Sequence, residues 1–459
     1  MSLFPRRKPT RMNSDKTTFK AITLSRDEHD ISRRDISDSA LKVMLRLNSD
    51  GYQAYLVGGG IRDLLLGLSP KDFDVATDAT PEEVKAIFRN SRIIGRRFRI
   101  VHVTFGREII EVTTFRGNHD SVSSHKNSNK SKQADSGMLL RDNVYGSIED
   151  DALRRDFTVN ALYYSADDLT LHDFTGGLED IKKRQIRMIG HPETRYREDP
   201  VRMLRAARFA AKLDFEVEDA SADPIPKLAP LLRDIPSARL FDEVLKLFMS
   251  GYAEATYDSL QYYGLFAELF PETEYFLCKG DLIDEEIIRQ ALINTDLRLK
   301  SGKTVTPAFI FAALLWPVTR AHAARLEGEG KPPLAALQEA SHIAIMEQLK
   351  RTSIPKRFSI PMREIWEMQL RLNKRQTKRA LNLMYHPRFR AGYDFLLLRE
   401  QVGESLDGLG AWWTKFQQDN PLDPTQVPEE YQRHQRDRDN RNGDNRLRRR
   451  RRGMRRTQD

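Results

Sequence analysis

The chain has 459 residues, 39% of them apolar, enough to bury a sizeable core and too many for one compact unit, so two to four domains are expected. No run of about eighteen apolar residues occurs, and Met1–Lys20 holds no apolar stretch of signal-sequence type, which argues against an integral membrane segment and against export. The single cysteine, Cys278, excludes an internal disulfide and a cysteine-based zinc site and fits the cytoplasm, while the net charge of +9 points to a polyanionic partner.

In chain order, Met1–Lys20 carries six basic residues against Asp15. Leu41, Met44 and Leu45 give Ser37–Asn48 helical spacing. Ala54–Val57 reads as a short strand, Gly58-Gly59-Gly60 as a tight turn, Ile61–Leu66 as a helix stopped by Gly67, and Asp72–Ala76 as a second strand. Thr80-Pro81-Glu82-Glu83 opens another helix, with Thr as N-cap, Pro in the first turn and Glu at the capping-box position. Arg99–Phe105 and Glu108–Phe115 alternate around Gly106-Arg107 as a β-hairpin does. Asn118–Gly137 has almost nothing to bury and is expected to be a mobile loop. From about Arg154 the pattern is helical almost without interruption, punctuated by Pro192, Pro224, Pro236, Pro271, Pro317 and Pro361, as in Pro200–Leu213, Ala238–Ser250 and Pro332–Lys350. The expected class is therefore α+β first and all-α afterwards. Past Trp413 the apolar content collapses, and Arg433–Asp459 carries twelve Arg against four Asp. Such a segment, with Arg448, Arg449, Arg450, Arg451 and Arg452 in one run, is expected to be structureless and to bind a polyanion. A solvated tail that only aids solubility is the plainer alternative.

Asp72-Phe73-Asp74 would place two carboxylates on one face of the second strand and Phe73 in the core. Such a pair repels itself unless a cation sits between, and magnesium is bound by one or two carboxylates plus substrate phosphates. The glycine turn presents backbone N–H groups at a helix N-terminus, where a triphosphate is favoured, and Arg62 adds a bidentate phosphate ligand. There is no G-x-x-x-x-G-K-[ST], so the phosphate site is not a P-loop. Glu111 shares a strand face with Ile109 and Thr113 and is a candidate third acid for a two-metal displacement.

Tyr55-Leu-Val-Gly-Gly-Gly-Ile-Arg-Asp63 followed by Lys71-Asp-Phe-Asp-Val75 closely resembles the catalytic opening of class II nucleotidyltransferases. These are the CCA-adding enzymes and bacterial poly(A) polymerases of the polymerase-beta-like superfamily. Arg154-Arg-Asp-Phe-Thr-Val-Asn160, Gly176-Gly-Leu-Glu-Asp180 and Arg197-Glu-Asp-Pro-Val-Arg202 agree, and the resemblance covers roughly 37–413. It implies that Asp72 and Asp74 are magnesium ligands, with Asp156 and Glu111 both candidates for the remaining acid. It also implies that Gly59, Gly60 and Arg62 hold the triphosphate, that Arg155, Asp156 and Asn160 read the ribose, and that Glu198, Asp199 and Arg202 read the base. Asp199 and Arg202, spaced i and i+3 on a helix, could face one base edge together. That edge suits adenine and cytosine alike, so this motif leaves the two branches open.

Ile93–Val103, Leu139–Glu149 and Pro192–Pro200 resemble bacterial poly(A) polymerases, as does the Arg-rich end. Arg96 and Arg97 would be paired cations near the triphosphate. Asn373-Lys-Arg-Gln-Thr-Lys-Arg379, including Lys374, Arg375, Lys378 and Arg379, together with Arg388, Arg390 and Tyr393, offers cations with an aromatic nearby for RNA, or else a solvated helix face. The implied plan is a basic flexible N-terminus (1–36), a polymerase-beta-like nucleotidyltransferase head (37–185), a helical neck with the base-reading motif (186–270), a helical RNA-binding body (271–416) and a disordered Arg-rich tail (417–459). The implied activity is template-independent, magnesium-dependent transfer of AMP from ATP to RNA 3′ ends, with RNA-decay proteins as the protein partners to look for. A CCA-adding enzyme and a non-catalytic RNA-binding protein on the same scaffold are the alternatives.

Overall fold

The computed structural model describes residues 19–95, 99–117, 131–133, 139–142, 144–279 and 282–423. Arg96, Arg97, most of the expected loop at 118–137 and Arg448–Arg452 lie outside the described residues. The chain divides into two compact units, residues 1–202 with 213–228, and residues 203–212 with 229–459.

The first unit is built on an eight-stranded sheet. Its strands are β1 (Ile22–Leu24), β2 (Ala54–Val57), β3 (Asp74–Thr77), β4 (Ser91–Ile94), β5 (Ile100–Phe105), β6 (Glu108–Thr114), and, beyond a separate pair β7 (Ser131–Gln133) and β8 (Leu139–Asp142), β9 (Leu162–Ser165) and β10 (Leu171–Asp173). The spatial order is β1-β10-β9-β2-β3-β6-β5-β4. All pairs in it are antiparallel except β3 with β6, which run parallel with Asp74 opposite Glu111.

The helices that cover the sheet start where local chemistry says they should. Ser37 accepts from the Ala40 N–H to cap α1 (Asp38–Ser49), and α3 (Pro81–Ile87) opens on the Thr80–Glu83 capping box. Between them lies α2 (Gly59–Leu65), whose N-cap Gly58 has φ +77°, a conformation that side chains resist. On one face of the sheet Val43, Met44 and Leu47 of α1 join Leu56, Val75, Val103, Ile110 and Val112 in the main core. On the other face α4 (Ile148–Arg154) contributes Ala152 to a smaller cluster with Val57, Ala76, Phe115 and Tyr163.

Three expectations change here. The helical pattern does not begin at Arg154, because β9 and β10 complete the sheet. Leu-Tyr-Tyr-Ser is buried at all four positions, so it shows no alternation, and a short apolar run does not distinguish strand from helix. The segment before residue 37 is not simply a flexible arm: β1 pairs with β10, and Ile31 and Ile36 are buried. Ser131–Gln133 is a strand paired with β8 rather than loop.

Among the described residues the second unit is helical. In Ser237–Phe248 the residues Leu240, Phe241, Val244, Leu247 and Phe248 are buried, at the three- and four-residue spacing of one helix face. Buried Trp366 and Trp413 each donate an indole N–H to a backbone carbonyl, of Ala312 at 3.1 Å and of Leu372 at 2.9 Å. Pro192 and Pro317 lie in first turns, where a missing N–H costs nothing. Pro361 differs from expectation: it sits inside the helix Lys356–Leu372 rather than between helices.

Candidate active site

Asp74 opens β3, and the parallel register sets Glu111 of β6 beside it. Asp72 lies before the strand and is exposed, while Phe73 turns into the core. The two aspartates are thus not both strand residues, as their spacing suggested, although they remain electrostatically coupled. Burial, the Glu111 charge, and Asp72 together push the Asp74 carboxyl up to about 6, against a smaller opposing pull from Arg155. A buried carboxyl raised by neighbouring acids marks a site whose repulsion a cation would relieve. Among the described residues no group of three or more His, Cys, Asp or Glu side chains is arranged to hold a metal ion by itself, so substrate phosphates would have to complete the shell.

Glu111 has a partner that the sequence reading missed. His102 Nε2 lies 3.0 Å from Glu111 Oε1 across the hairpin. The signal was present: a hairpin centred on Gly106-Arg107 pairs residue 102 with residue 111, as observed.

The glycine turn packs against this acidic corner. A Cβ on Gly58 would meet Asp74 Oδ2 and Arg155 Nη1, both at 3.7 Å, and one on Gly59 would come within 3.1 Å of Arg62 Nη2. Arg62 itself is 1% exposed. Its guanidinium donates to Asp63 Oδ1 from Nε at 2.9 Å and from Nη2 at 2.6 Å, and from Nη1 to Asn160 Oδ1. The expected open phosphate ligand is therefore an internal strut beneath the turn, because burying a guanidinium demands partners for its fork.

Arg155 and Asp156, adjacent in sequence, face different groups. Arg155 Nη2 meets Asp151 Oδ2 at 2.9 Å, and Tyr163 completes the triangle, accepting from Arg155 Nε at 2.7 Å and donating to Asp151 at 2.6 Å. Burial alone would lower the Arg155 pKa, but the Tyr163 and Asp151 oxygens raise it overall. Asp156 accepts from the Phe157 N–H at 2.8 Å and from Asn160 Nδ2 at 3.2 Å, and its charge acts on Arg195. Of the two candidate third acids, Glu111 is the one in register with Asp74.

The segment expected to read the base forms a second network. Asp199 is the C-cap of α5 (Pro192–Glu198), in extended conformation, and Arg202 belongs to α6 (Val201–Leu213). The two are not i and i+3 on one helix; they straddle a helix junction closed by the Arg202 N–H donating to Asp199 O at 3.0 Å. Glu198 Oε2 accepts from Arg195 at 2.7 Å and from Arg202 at 3.0 Å. Arg195, pushed down to about 10 by burial and by the neighbouring Arg202 charge, also donates Nη2 to the carbonyls of Arg154 and Arg155, both at 2.6 Å. It ties the two motifs together, a role the sequence reading did not assign.

Residues 54–187 match the poly A polymerase head domain family, residues 214–277 the family described as the probable RNA and SrmB-binding site of polymerase A, and residues 329–457 the polymerase A arginine-rich C-terminus family. Poly(A) polymerase I of Salmonella typhimurium is 53% identical over 402 residues, covering 87% of this chain and 86% of that protein. The chain belongs to the bacterial poly(A) polymerase family, within the class II nucleotidyltransferases. The CCA-adding enzyme of Streptococcus uberis is 39% identical over 211 residues, only 46% of this chain and 49% of that one. The crystal structure of the Bacillus stearothermophilus CCA-adding enzyme in complex with CTP shares the fold, at TM-score 0.54 and 27% identity over 83% of this chain and 80% of that chain. The likeness to CCA-adding enzymes thus covers fold and half the sequence, whereas the likeness to poly(A) polymerases covers most of the chain. The polymerase adds adenylate to RNA 3′ ends without a template. Among its described residues no helix is long and apolar enough to cross a membrane.

In the helical unit of this polymerase, Lys374, Arg375, Lys378 and Arg379 are all exposed, on the turn after the helix Lys356–Leu372 and on the start of Thr377–Met384. Arg375 donates to the Asp407 carbonyl.

Proposed function

We propose that Asp72, Asp74 and Glu111 form the acidic corner at which an RNA 3′-hydroxyl attacks the α-phosphate of ATP in line, releasing pyrophosphate. The observation that carries this reading is the register pairing of Asp74 with Glu111 beside the glycine turn, with Asp74 pushed up to about 6 by its neighbours. Magnesium bound through Asp72, Asp74 and substrate phosphates would favour the attacking alkoxide and neutralise the departing pyrophosphate. The chain's own groups do the positioning. The first turn of α2 offers Gly59 and Gly60 N–H groups to the triphosphate, with Arg62 holding that turn from below and Arg96 and Arg97 as further cations for the phosphates. Arg155 counters the acidic charge and, with Asp156 and Asn160, serves the ribose side. Asp199 and Arg202 read the adenine edge, oriented through Glu198 and Arg195.

Lys374, Arg375, Lys378 and Arg379 contact RNA phosphates in this reading, as does the Arg448–Arg452 run, and the enzyme works in the cytoplasm beside RNA-decay proteins. The deciding experiment supplies each nucleoside triphosphate separately with magnesium and an unstructured RNA primer and reads product lengths on a gel. A long ladder with ATP alone is expected. Short additions from CTP to a tRNA lacking its terminus, with no ladder from ATP, would favour CCA addition instead.

A further inference from the structure

The helical unit contains a cavity of about 720 Å³ that none of Lys374, Arg375, Lys378 and Arg379 lines, although Arg388 and Arg390 do. It lies among the helices Leu282–Lys300, Pro307–Leu314, Lys356–Leu372 and Phe389–Gln401, and no residue of it falls within 214–277. Its volume is in the range of ligand sites rather than of packing defects. Phe309, Phe358, Pro361, Ile365 and Leu398 give it apolar, partly aromatic walls.

The charged lining is strongly one-sided. Arg298, Arg357, Arg388 and Arg390 all border the cavity, against the single carboxylate of Asp394. Arg388 is engaged by Glu364 at 2.8 Å and Arg390 by Asp394 at 2.9 Å. Arg298 and Arg357 hold no carboxylate among the described residues: Arg298 donates to the Thr304 carbonyl at 3.4 Å, and the Arg357 guanidinium lies 4.8 Å from the Phe358 ring centroid. Both are exposed.

The backbone adds to this field. Thr306, Arg357 and Arg388 stand at the N-terminal ends of Pro307–Leu314, Lys356–Leu372 and Phe389–Gln401. None of these three helices has an acidic residue in its first turn, and none has a side-chain cap. Helix starts normally attract carboxylates. Here arginines stand at two of the three, an arrangement that favours an incoming anion.

We propose that this cavity is a nucleotide subsite for single-stranded RNA, seating a base against the Phe358 and Phe309 walls while Arg298 and Arg357 neutralise the flanking phosphates. A flat apolar group with anionic flanks is what apolar walls and uncompensated cations jointly select. The proposal rests on RNA being the primer, and it assigns the RNA strand a contact within the helical unit, independent of the acidic corner.

The test uses the full chain. Arg298→Ala with Arg357→Ala should weaken binding of a 3′-deoxy oligo(A) about tenfold and make the log-log salt dependence shallower by about 1.4, at about 0.7 per lost phosphate contact. KM for ATP and the single-addition rate at saturating RNA should stay unchanged. Arg325→Ala with Lys350→Ala, two exposed cations of the helical unit outside the cavity and outside the proposed RNA contacts, serves as the control for general surface charge and should not reproduce the loss. An oligo(A) with one 4-thiouridine is then irradiated, and crosslinks are expected on peptides containing Phe309 or Phe358. Unchanged RNA affinity together with no such crosslink would overturn the proposal while leaving the polymerase reading intact. A raised KM for ATP with normal RNA affinity would mean that the cavity takes free nucleotide, which also overturns it. If the double variant melts early, the crosslink on the unaltered chain decides. Absence of ATP-dependent extension by the unaltered chain would instead fault the reading of the acidic corner.

Discussion

The two units handle charge differently. The first buries Arg62, Asp63, Asp151, Asp173, Asp180 and Arg195, whereas among the described residues of the second the buried charged side chains are Glu243, Asp284 and Asp296. In the first unit some of those charges join distant segments, Arg62 reaching Asn160 and Arg195 the carbonyls of Arg154 and Arg155, and others brace nearby turns: Arg187 meets Asp180, and Asp173 accepts four backbone N–H groups, from Thr175 to Leu178. In the second, interlocked aromatics carry the packing, as where Phe266 stacks on Phe270 with centroids 5.2 Å apart. Among its ion pairs, Arg289–Glu285, Arg325–Glu329 and Arg390–Asp394 are i,i+4 pairs with at least one exposed side chain. Buried ionic networks fix geometry, at a desolvation cost, while apolar cores supply stability. A unit that must hold acids and cations at set positions uses the first device.

The largest effect should come from Asp74→Asn, which probes whether the acidic corner is held against its own electrostatics. Extension activity should fall by at least about 10³-fold, since the carboxylate proposed to hold metal is removed. Stability should move the other way. The folded Asp74 carboxyl titrates at about 6, above its ordinary 3.8, so its contribution to stability is fully present below about 3.8 and is lost as pH rises through about 6. The metal-free variant should therefore gain up to about 3 kcal/mol over the unaltered chain above pH 7 and little at pH 4, read by urea unfolding in chelator. Near-normal turnover, or a loss of stability at pH 8, would break the assignment.

Asp151→Ala asks whether the Arg155–Tyr163–Asp151 triangle is structural. It leaves a guanidinium without its carboxylate in a buried setting, for which about 3–5 kcal/mol of destabilisation is expected. Denaturant unfolding checks this, and a loss below about 1 kcal/mol would show that water compensates Arg155. The Asp151 carboxyl sits below its ordinary value: burial opposes this, but Arg155 and the Tyr163 hydroxyl outweigh it. Its contribution is thus present above the unfolded value and disappears as pH falls through the folded one, so the variant's deficit should shrink in acid.

These networks also mark where the sequence stopped being legible. The Gly58 turn, the Thr80 capping box and the Gly106-Arg107 hairpin are local signals and appear where the residues placed them. The fit of Arg62 to Asn160 spans 98 positions and that of Arg195 to the Arg154 carbonyl spans 41, so no local pattern announces either. Strand β9 hid for the opposite reason, being too uniformly buried to show a period. Asp199 and Arg202 were read as one helix because spacing alone does not reveal that Asp199 adopts φ −151°. His102 stood within reach, since its position follows from the hairpin register once the turn is assigned.

A smaller effect is expected at the junction where the base would be read. Arg202 Nη1 donates to the Arg195 carbonyl at 2.8 Å as well as to Glu198. Arg202→Ala should lower discrimination between ATP and other triphosphates by about 10- to 100-fold in kcat/KM, as a hydrogen-bonding site loses its partner. Competition kinetics measure the ratio. A fall in thermal stability with selectivity unchanged would make Arg202 a strut for the helix junction.

The smallest effect should come from the helical unit's surface. Arg325 and Glu329 pair at i,i+4 with side chains 54% and 50% exposed. Water screens both charges, and ordering two long side chains costs entropy, so Arg325→Ala should change unfolding free energy by under about 0.5 kcal/mol. Set beside Asp151→Ala, this measures the difference between the units directly, because both substitutions delete one member of an arginine–carboxylate pair at the same spacing. Adding salt should erase what little Arg325 contributes and leave the Asp151 effect nearly intact. Comparable losses for the two variants would mean that burial is not what separates the ion pairs of the two units.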